Sequence, residues 1–370
     1  MAPKTNSRSR STGHAPHQSR YTPAAMKGIQ QASLEKFFAQ HVESAEPPLT
    51  FSMITGGHSN LTYLVEDARG RKTVLRRPPT GAVLATAHDM AREHRIISSL
   101  GGSAVPVPKT LALCQDDSVN DAPFYVMDYV EGSVLTSPDQ TAGLVPEAKR
   151  EALGLHIIEV LAALHRIEPS DVGLGDLGRR EAYLARQLKR WKTQWEKSKT
   201  RELPQMDEAH AQLEARMPEQ KGATIVHGDY RIGNFLSNGS AGKIEAVLDW
   251  ELCTLGDPLA DVGYLMNDWN GPDDDGPTAS GTGQSAVSCG GFPDRQAMLA
   301  RYEELTGTST QGVDYYRAFQ YWRLAAIVEG VLARYLKGVM GENADTAAFK
   351  AQVDSLANAA VELASSADFS

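Results

Sequence analysis

Asp229 and Asn234 stand five residues apart in Val226-His227-Gly228-Asp229-Tyr230-Arg231-Ile232-Gly233-Asn234-Phe235, and a further acid follows in Leu248-Asp249-Trp250-Glu251. Moving a terminal phosphoryl group onto a hydroxyl needs a group to take the hydroxyl proton. It also needs hard oxygen ligands that hold Mg²⁺ against the phosphates. Asp229 is the candidate base, and Asn234 and Asp249 are the candidate metal ligands. Asp, Asn and Gly also cap ordinary turns, but two matching elements at this separation favour the chemical reading. His227 is expected to hydrogen-bond backbone near Asp249 and prop the loop rather than carry protons. Arg231, two residues after the base, is open to two readings: phosphate contact, or a solvent-facing or salt-bridged arginine.

The elements that must position these groups lie upstream. Short β-like runs at 49–54 and 61–65 flank a turn containing Gly57, His58, Ser59 and Asn60, whose backbone N–H groups could close over phosphates. The run 73–77 places Arg76, with Arg77 as the alternate, where phosphoryl-transfer sites carry a lysine. Arginine keeps the charge and can bind phosphate in bidentate fashion. A helix over 87–100 carries Glu93, which would pair with and orient that arginine. The run 124–129 reads as the strand joining two lobes. The backbone around Met127, Asp128 and Val130 would meet an adenine edge there, with Val126 and Met127 supplying apolar packing.

From Pro146 the apolar spacing changes from a period of two to 3.6. Helices are expected over 147–165, 183–197, 208–217 and 315–336. The fold class is therefore α+β: a small five-stranded antiparallel lobe with one helix, then a larger, mainly helical lobe, with a cleft between. The expected divisions are a disordered basic tail (1–30), a nucleotide-binding lobe (31–130) and a catalytic and acceptor-binding lobe (131–365). Asp257 is expected to cap a helix beginning at Pro258, and Asp261 to support the catalytic loop from behind. Residues 270–294, rich in Gly, Asp, Ser and Pro, read as a lid or loop.

Composition excludes several alternatives. With 37 basic and 46 acidic side chains the chain has a net charge of −9, which argues against a nucleic-acid partner. Three separated cysteines suit neither a disulfide scaffold nor a zinc site and fit a reducing cytoplasm. No apolar run reaches the length of a membrane span, and the N-terminal segment has no signal-peptide core. A hydrolase elbow fails at Leu61, where glycine is needed. Residues 202–300 hold 16 acidic and 5 basic side chains, a field that would favour a cationic acceptor. Trp250, Trp269 and Phe292 are candidates for the walls of an acceptor pocket. The rival to an enzyme is a nucleotide-binding scaffold without turnover.

The string His227 to Asn234, with Leu248-Asp249-Trp250-Glu251 and Gly256-Asp257-Pro258, resembles the aminoglycoside phosphotransferase and choline-kinase-like superfamily. Within it the chain is most similar to the branch containing the kinase-like region of acyl-CoA dehydrogenase family members 10 and 11. Val74-Leu75-Arg76-Arg77-Pro78-Pro79 and Leu164-His165-Arg166-Ile167 carry the same likeness, which spans about residues 30–360. The resemblance implies a protein-kinase-like two-lobe fold, ATP, Mg²⁺ and a small hydroxyl-bearing acceptor, aminoglycoside-like or hydroxyacyl-CoA-like. Arg76 in place of lysine departs from the family pattern.

Overall fold

The computed structural model describes residues 26–54, 60–80, 89–272, 274, 277, 284–338 and 345–366. The small lobe runs α1 (Gln31–His41), β1 (Thr50–Met53), β2 (Leu61–Glu66), β3 (Lys72–Arg77), α2 (Met90–Leu100), β4 (Thr110–Cys114), α3 (Asp117–Asn120) and β5 (Phe124–Asp128). The five strands form an antiparallel sheet in the order β1-β2-β3-β5-β4. Side chains alternate across a strand, and here that alternation sorts two cores. Leu75, Phe124 and Val126 pack with Leu34, Phe37 and Phe38 of α1. Val74, Tyr125 and Met127 belong to the cluster that contains Ile96, Ile97 and Leu100 of α2. The lobe thus carries α1 on its sheet in addition to the expected α2.

Residues 26–30, assigned to the tail on sequence, pack onto this lobe. Ile29 is buried, the Gln30 amide donates to Asn120 Oδ1 at 2.8 Å, and the Tyr63 hydroxyl donates to the Lys27 carbonyl.

The β2–β3 turn is held by Asp67, whose Oδ1 accepts the N–H groups of Arg69 and Arg71, each at 2.9 Å. Burial opposes its charge, but the backbone donors of Arg71, Glu46 and Arg69 outweigh burial and hold its pKa below the ordinary 3.8. A lowered folded-state value means that the stabilisation is present above the unfolded pKa and fades as pH falls through the folded one. Asp67→Ala should therefore lower the urea midpoint clearly at pH 7 and much less at pH 3.

The large lobe begins with α4 (Pro138–Leu144), α5 (Glu147–His165), α6 (Tyr183–Ser198) and α7 (Pro204–Ala215). Four short strands follow: β6 (Thr224–Val226), β7 (Phe235–Asn238), β8 (Lys243–Val247) and β9 (Thr254–Gly256). The chain closes with α8 (Leu259–Asn267), α9 (Arg295–Thr306), α10 (Val313–Leu336) and α11 (Thr346–Ser365). Helix α10 is the spine of the lobe, packing against α6, α8 and α11. Two of its aromatic side chains are satisfied on buried backbone: Tyr315 donates to the Leu213 carbonyl at 2.9 Å and Trp322 to that of Met206 at 3.0 Å. Among the described residues no helix is long and apolar enough to cross a membrane.

Candidate active site

Strand β6 pairs antiparallel with β9, and the β7–β8 hairpin lies between them in sequence. This brings loop 227–234 against residues 248–254. Gly228 adopts φ +82°, and a Cβ there would lie 2.7 Å from the Leu252 carbonyl oxygen, so both conformation and space call for glycine. His227 props the loop as expected. Its Nε2 donates to the Leu248 carbonyl at 2.9 Å, and its Nδ1 accepts the Asp229 N–H at 3.1 Å. Behind the loop, Asp261 is fully buried and accepts the N–H groups of His227 at 2.6 Å and Gly228 at 2.8 Å. Asp257 accepts the Leu259 N–H at 3.0 Å at the start of α8 and also receives the Tyr316 hydroxyl at 2.8 Å. Both acids serve the architecture, in line with the sequence reading.

The three candidate catalytic side chains converge. Asn234 Nδ2 donates to Asp229 Oδ2 at 2.8 Å and to the Asp229 carbonyl at 2.9 Å, which turns its amide oxygen the other way. The Asn234 carbonyl accepts the Leu248 N–H at 2.9 Å, bringing it next to Asp249. Asp249 sits at φ +67°, a left-handed conformation that Asp tolerates better than most residues, and it opens a short 3₁₀ turn over Trp250–Leu252. Arg231 is salt-bridged rather than solvent-facing, with Nε 3.7 Å from Asp229 Oδ1. Burial works against its charge, but Asp229, Tyr264, Asp268 and Asp249 together push its pKa up.

Mg²⁺ fits this donor set. Among the described residues no group of three His, Cys, Asp or Glu forms a complete metal cage. Mg²⁺ needs none, because it retains waters and takes one or two protein oxygens together with substrate phosphates. The Asp249 carboxylate and the Asn234 amide oxygen are hard donors of that kind.

Strand alternation separates the two arginines that the sequence left open. Arg76 points into the cleft: its Nε lies 3.1 Å from Glu93 Oε1 and its second terminal nitrogen 2.5 Å from Asp249 Oδ1. Arg77 points to the opposite face, donating to the carbonyls of Gly28 at 2.6 Å and Asn120 at 2.9 Å. Glu93 lies on the buried stripe of α2 with Met90, Ile96, Ile97 and Leu100. Its pKa is pushed up by burial and pulled back by Arg76. Only the planar fork of arginine reaches both carboxylates at once. Arg76→Lys should therefore lose one of the two contacts, at a cost of about 1.5–3 kcal/mol for a charge-assisted hydrogen bond, read as a lowered urea midpoint.

Of the turn 57–60, Gly57, His58 and Ser59 lie outside the described residues. Asn60 is buried and donates to Glu251 Oε2 at 3.2 Å. Met127 is buried at the end of β5, the Asp128 N–H is taken by the Lys109 carbonyl at 2.8 Å, and Val130 follows in the inter-lobe connection.

Two expectations fail. Trp250 and Trp269 do not line an acceptor pocket. Trp250 is fully buried, with its ring 4.6 Å from that of His227, and Trp269 packs edge-on against Phe292 and donates to the Pro293 carbonyl at 2.8 Å. The acids of 202–300 do not form one open field either. Asp257, Asp261 and Asp268 are fully buried, and Asp268 accepts the Ile232 N–H at 3.2 Å. Asp273 and Asp275 lie outside the described residues.

Sequence reasoning missed three neighbours of the loop. The Tyr264 hydroxyl of α8 faces Asp229; burial first, and then that carboxylate, raises its pKa. Arg323 of α10 donates to the Gly228 carbonyl at 2.8 Å. Tyr125, buried beside Arg76 in the sheet, faces Glu93. Each reaches the site from a distant element, and no local pattern marks any of them.

A β lobe above a helical lobe, with Asp229, Asn234 and Asp249 gathered in the crease, defines a kinase-like phosphotransferase. The model of the phosphotransferase enzyme family matches residues 50–299, and the chain belongs to that family. It is 34% identical over 312 residues to mouse acyl-CoA dehydrogenase family member 10, covering 84% of this chain and 29% of that protein. With chicken acyl-CoA dehydrogenase family member 11 it shares 32% over 347 residues, covering 92% of this chain and 44% of that protein. The chain thus spans less than half the length of these curated relatives. Among solved structures, a Ralstonia eutropha JMP134 protein provisionally described as an aminoglycoside phosphotransferase superposes with a TM-score of 0.74 at 33% identity, covering 90% of this chain and 97% of that one. The GDP complex of aminoglycoside 2'-phosphotransferase-IIIa shares the fold, with a TM-score of 0.59 at 15% identity over 90% of this chain and 99% of that one. So does the ternary complex of a thermostable APH(4)-Ia mutant with AMP-PNP and hygromycin B, with a TM-score of 0.54 at 18% identity over 88% of this chain and 98% of that one.

Proposed function

We propose that the chain transfers the γ-phosphoryl group of ATP to a hydroxyl of a small molecule. The observation that carries the reading is the Asp229 carboxylate, held by Asn234 on one oxygen and approached by Arg231 on the other. Asp229 orients the acceptor hydroxyl and takes its proton as the oxygen bonds to the γ-phosphorus. The bond to the bridging oxygen breaks, and ADP leaves. Arg76, steadied by Glu93, and Arg231 place positive charge where the phosphates carry negative charge, so the catalysis is mainly positioning and charge neutralisation. Asn60, with Gly57, His58 and Ser59, is assigned to the phosphates, and Met127, Asp128 and Val130 to the adenine edge. Mg²⁺, when held by Asn234 and Asp249, screens the charge on the β- and γ-phosphates. The structural relatives crystallised with AMP-PNP and hygromycin B, or with GDP, support a nucleotide donor and a small acceptor.

A screen of hydroxylated metabolites, acyl-CoA esters and aminoglycosides for ADP release tests this reading. Release should require both an acceptor and Mg²⁺ and should cease with EDTA. ATP binding without any acceptor-dependent release would instead favour a scaffold.

A further inference from the structure

We infer that Arg92 and Arg95 are positioning residues: they clip α2 to a strap of the large lobe, residues 168–178, and thereby hold Glu93 and Arg76 in place for the phosphates. The inference rests on the phosphotransferase reading, which makes Arg76 a phosphate anchor, and adds what sets that anchor's place. Helix α2 seats on its own lobe through Met90, Ile96, Ile97 and Leu100, and Glu93 lies on the same buried stripe. Apolar burial is non-directional; the polar contacts that fix direction lie on a second stripe. Arg92 and Arg95, three residues apart, share that stripe, and both cross to the large lobe. One terminal nitrogen of Arg92 donates to the Cys253 carbonyl at 2.6 Å and to that of Leu177 at 3.5 Å. Arg95 engages both oxygens of Asp176, at 2.5 and 3.2 Å, and the Gly173 carbonyl at 2.5 Å.

The strap, which connects α5 to α6, is itself fixed to the large lobe. Leu174 is fully buried, and its N–H donates to the Pro169 carbonyl at 2.7 Å. Glu168 pairs with Arg180 at 2.7 Å at the far end of the strap. A Cβ on Gly178 would lie 2.5 Å from Thr254 Oγ1, so the strap runs directly against the residue that follows Cys253.

The small lobe thus meets the turn that carries the candidate metal ligand at alternate residues: Arg76 reaches Asp249, Asn60 reaches Glu251 and Arg92 reaches Cys253. Arg76 and Arg92 close a circuit. It runs from Asp249 through Arg76 to Glu93 at 3.1 Å, one residue along α2 to Arg92, and back to Cys253. Glu93 is therefore placed relative to the same turn that Arg76 must face. Magnitudes separate this role from plain stability. An exposed ion pair such as Arg95–Asp176 adds little to the stability of the whole chain, whereas a misplacement of about 1 Å at a reacting centre costs up to about 100-fold in rate.

The test compares the full wild-type chain with one carrying Arg92→Ala and Arg95→Ala together. Arg95 is exposed and Arg92 half-buried, so the variant is expected to fold, and thermal melts check that it does. Amide hydrogen exchange without nucleotide reads the clip: α2 amides should exchange about tenfold faster, with those of α5 unchanged. Calorimetric titration with Mg·AMP-PNP reads the positioning, and affinity should fall about tenfold. In a Glu93→Gln background the same two substitutions should change that affinity by less than about twofold, because they act through Glu93. A merely structural role would show its full effect in both backgrounds. Charge reversal serves where Glu93→Gln does not fold: Arg95→Glu alone should lose affinity, and Arg95→Glu with Asp176→Arg should regain most of it.

Unchanged exchange in α2, an equal loss of affinity in both backgrounds, or no recovery on charge reversal would overturn the inference. So would a loosened α2 that still binds Mg·AMP-PNP as wild type does, and each of these results leaves phosphotransfer standing. The phosphotransferase reading fails by a different result, a wild-type chain that neither binds Mg·AMP-PNP nor releases ADP with any acceptor. That result would remove the positioning role as well, while faster α2 exchange in the variant would still establish the clip.

Discussion

Asp229→Asn is expected to lower kcat by about 10³-fold, within the range for loss of a positioned general base, while nucleotide affinity stays within about twofold. The substitution is nearly isosteric. Its side-chain oxygen can still accept from Asn234 Nδ2, which now reaches Asp229 Oδ2 at 2.8 Å, so the loop should keep its shape. What disappears is the proton acceptor and the charge facing Arg231 at 3.7 Å. Arg76 and Glu93, which are assigned to the phosphates, lie in the small lobe and do not depend on Asp229. The signature is therefore a fall in kcat with little change in the KM for ATP, measured by steady-state ADP release beside equilibrium titration of AMP-PNP. Activity within tenfold of wild type would remove Asp229 from the role of base. A matching loss of nucleotide affinity would mean that the variant had disturbed the loop instead.

The parts of this site legible in the sequence are those that the chain carries close together. Asp229, Asn234 and Asp249 sit in one loop and one hairpin, and short-range spacing fixes where they meet. The strands of the small lobe fall within one or two residues of the expected runs because period-two patterning reads directly on a sheet with cores on both faces. The same patterning could not choose between Arg76 and Arg77, since one step of register exchanges the faces. The choice required knowing that α1 covers one face and α2 the other. Tyr264 and Arg323 come to the loop from α8 and α10, and Tyr125 comes from β5; their roles arise from tertiary packing. Counting acids over 202–300 misled for a related reason. Charge along the chain does not say which carboxylates face backbone N–H groups, and Asp257, Asp261 and Asp268 all do. Trp250 belongs to the core for the same kind of reason, its indole nitrogen donating to the Val247 carbonyl at 3.0 Å.

Asp261→Ala should be the most destabilising single change at the site. The carboxylate is fully buried and accepts two adjacent backbone N–H groups, those of His227 at 2.6 Å and Gly228 at 2.8 Å, with His165 Nε2 a further 3.4 Å away. Truncation leaves those donors without a partner in the interior. At about 1–3 kcal/mol for each unsatisfied group, the loss is roughly 4 kcal/mol, or a fall of about 5 °C in Tm for a chain of this size. Function should suffer even where the variant stays folded. The tight turn at Gly228 is held from below by Asp261 and from the side by Arg323, and Asp229 is the next residue. Assayed well below its Tm, Asp261→Ala should lose more than tenfold in kcat yet bind AMP-PNP nearly as well as wild type. Asp261→Asn, which keeps one carbonyl acceptor, should fall between the two on both measures. If Asp261→Ala melted as the wild type does, the two N–H groups would have found other partners, and the loop would not depend on α8 for its shape.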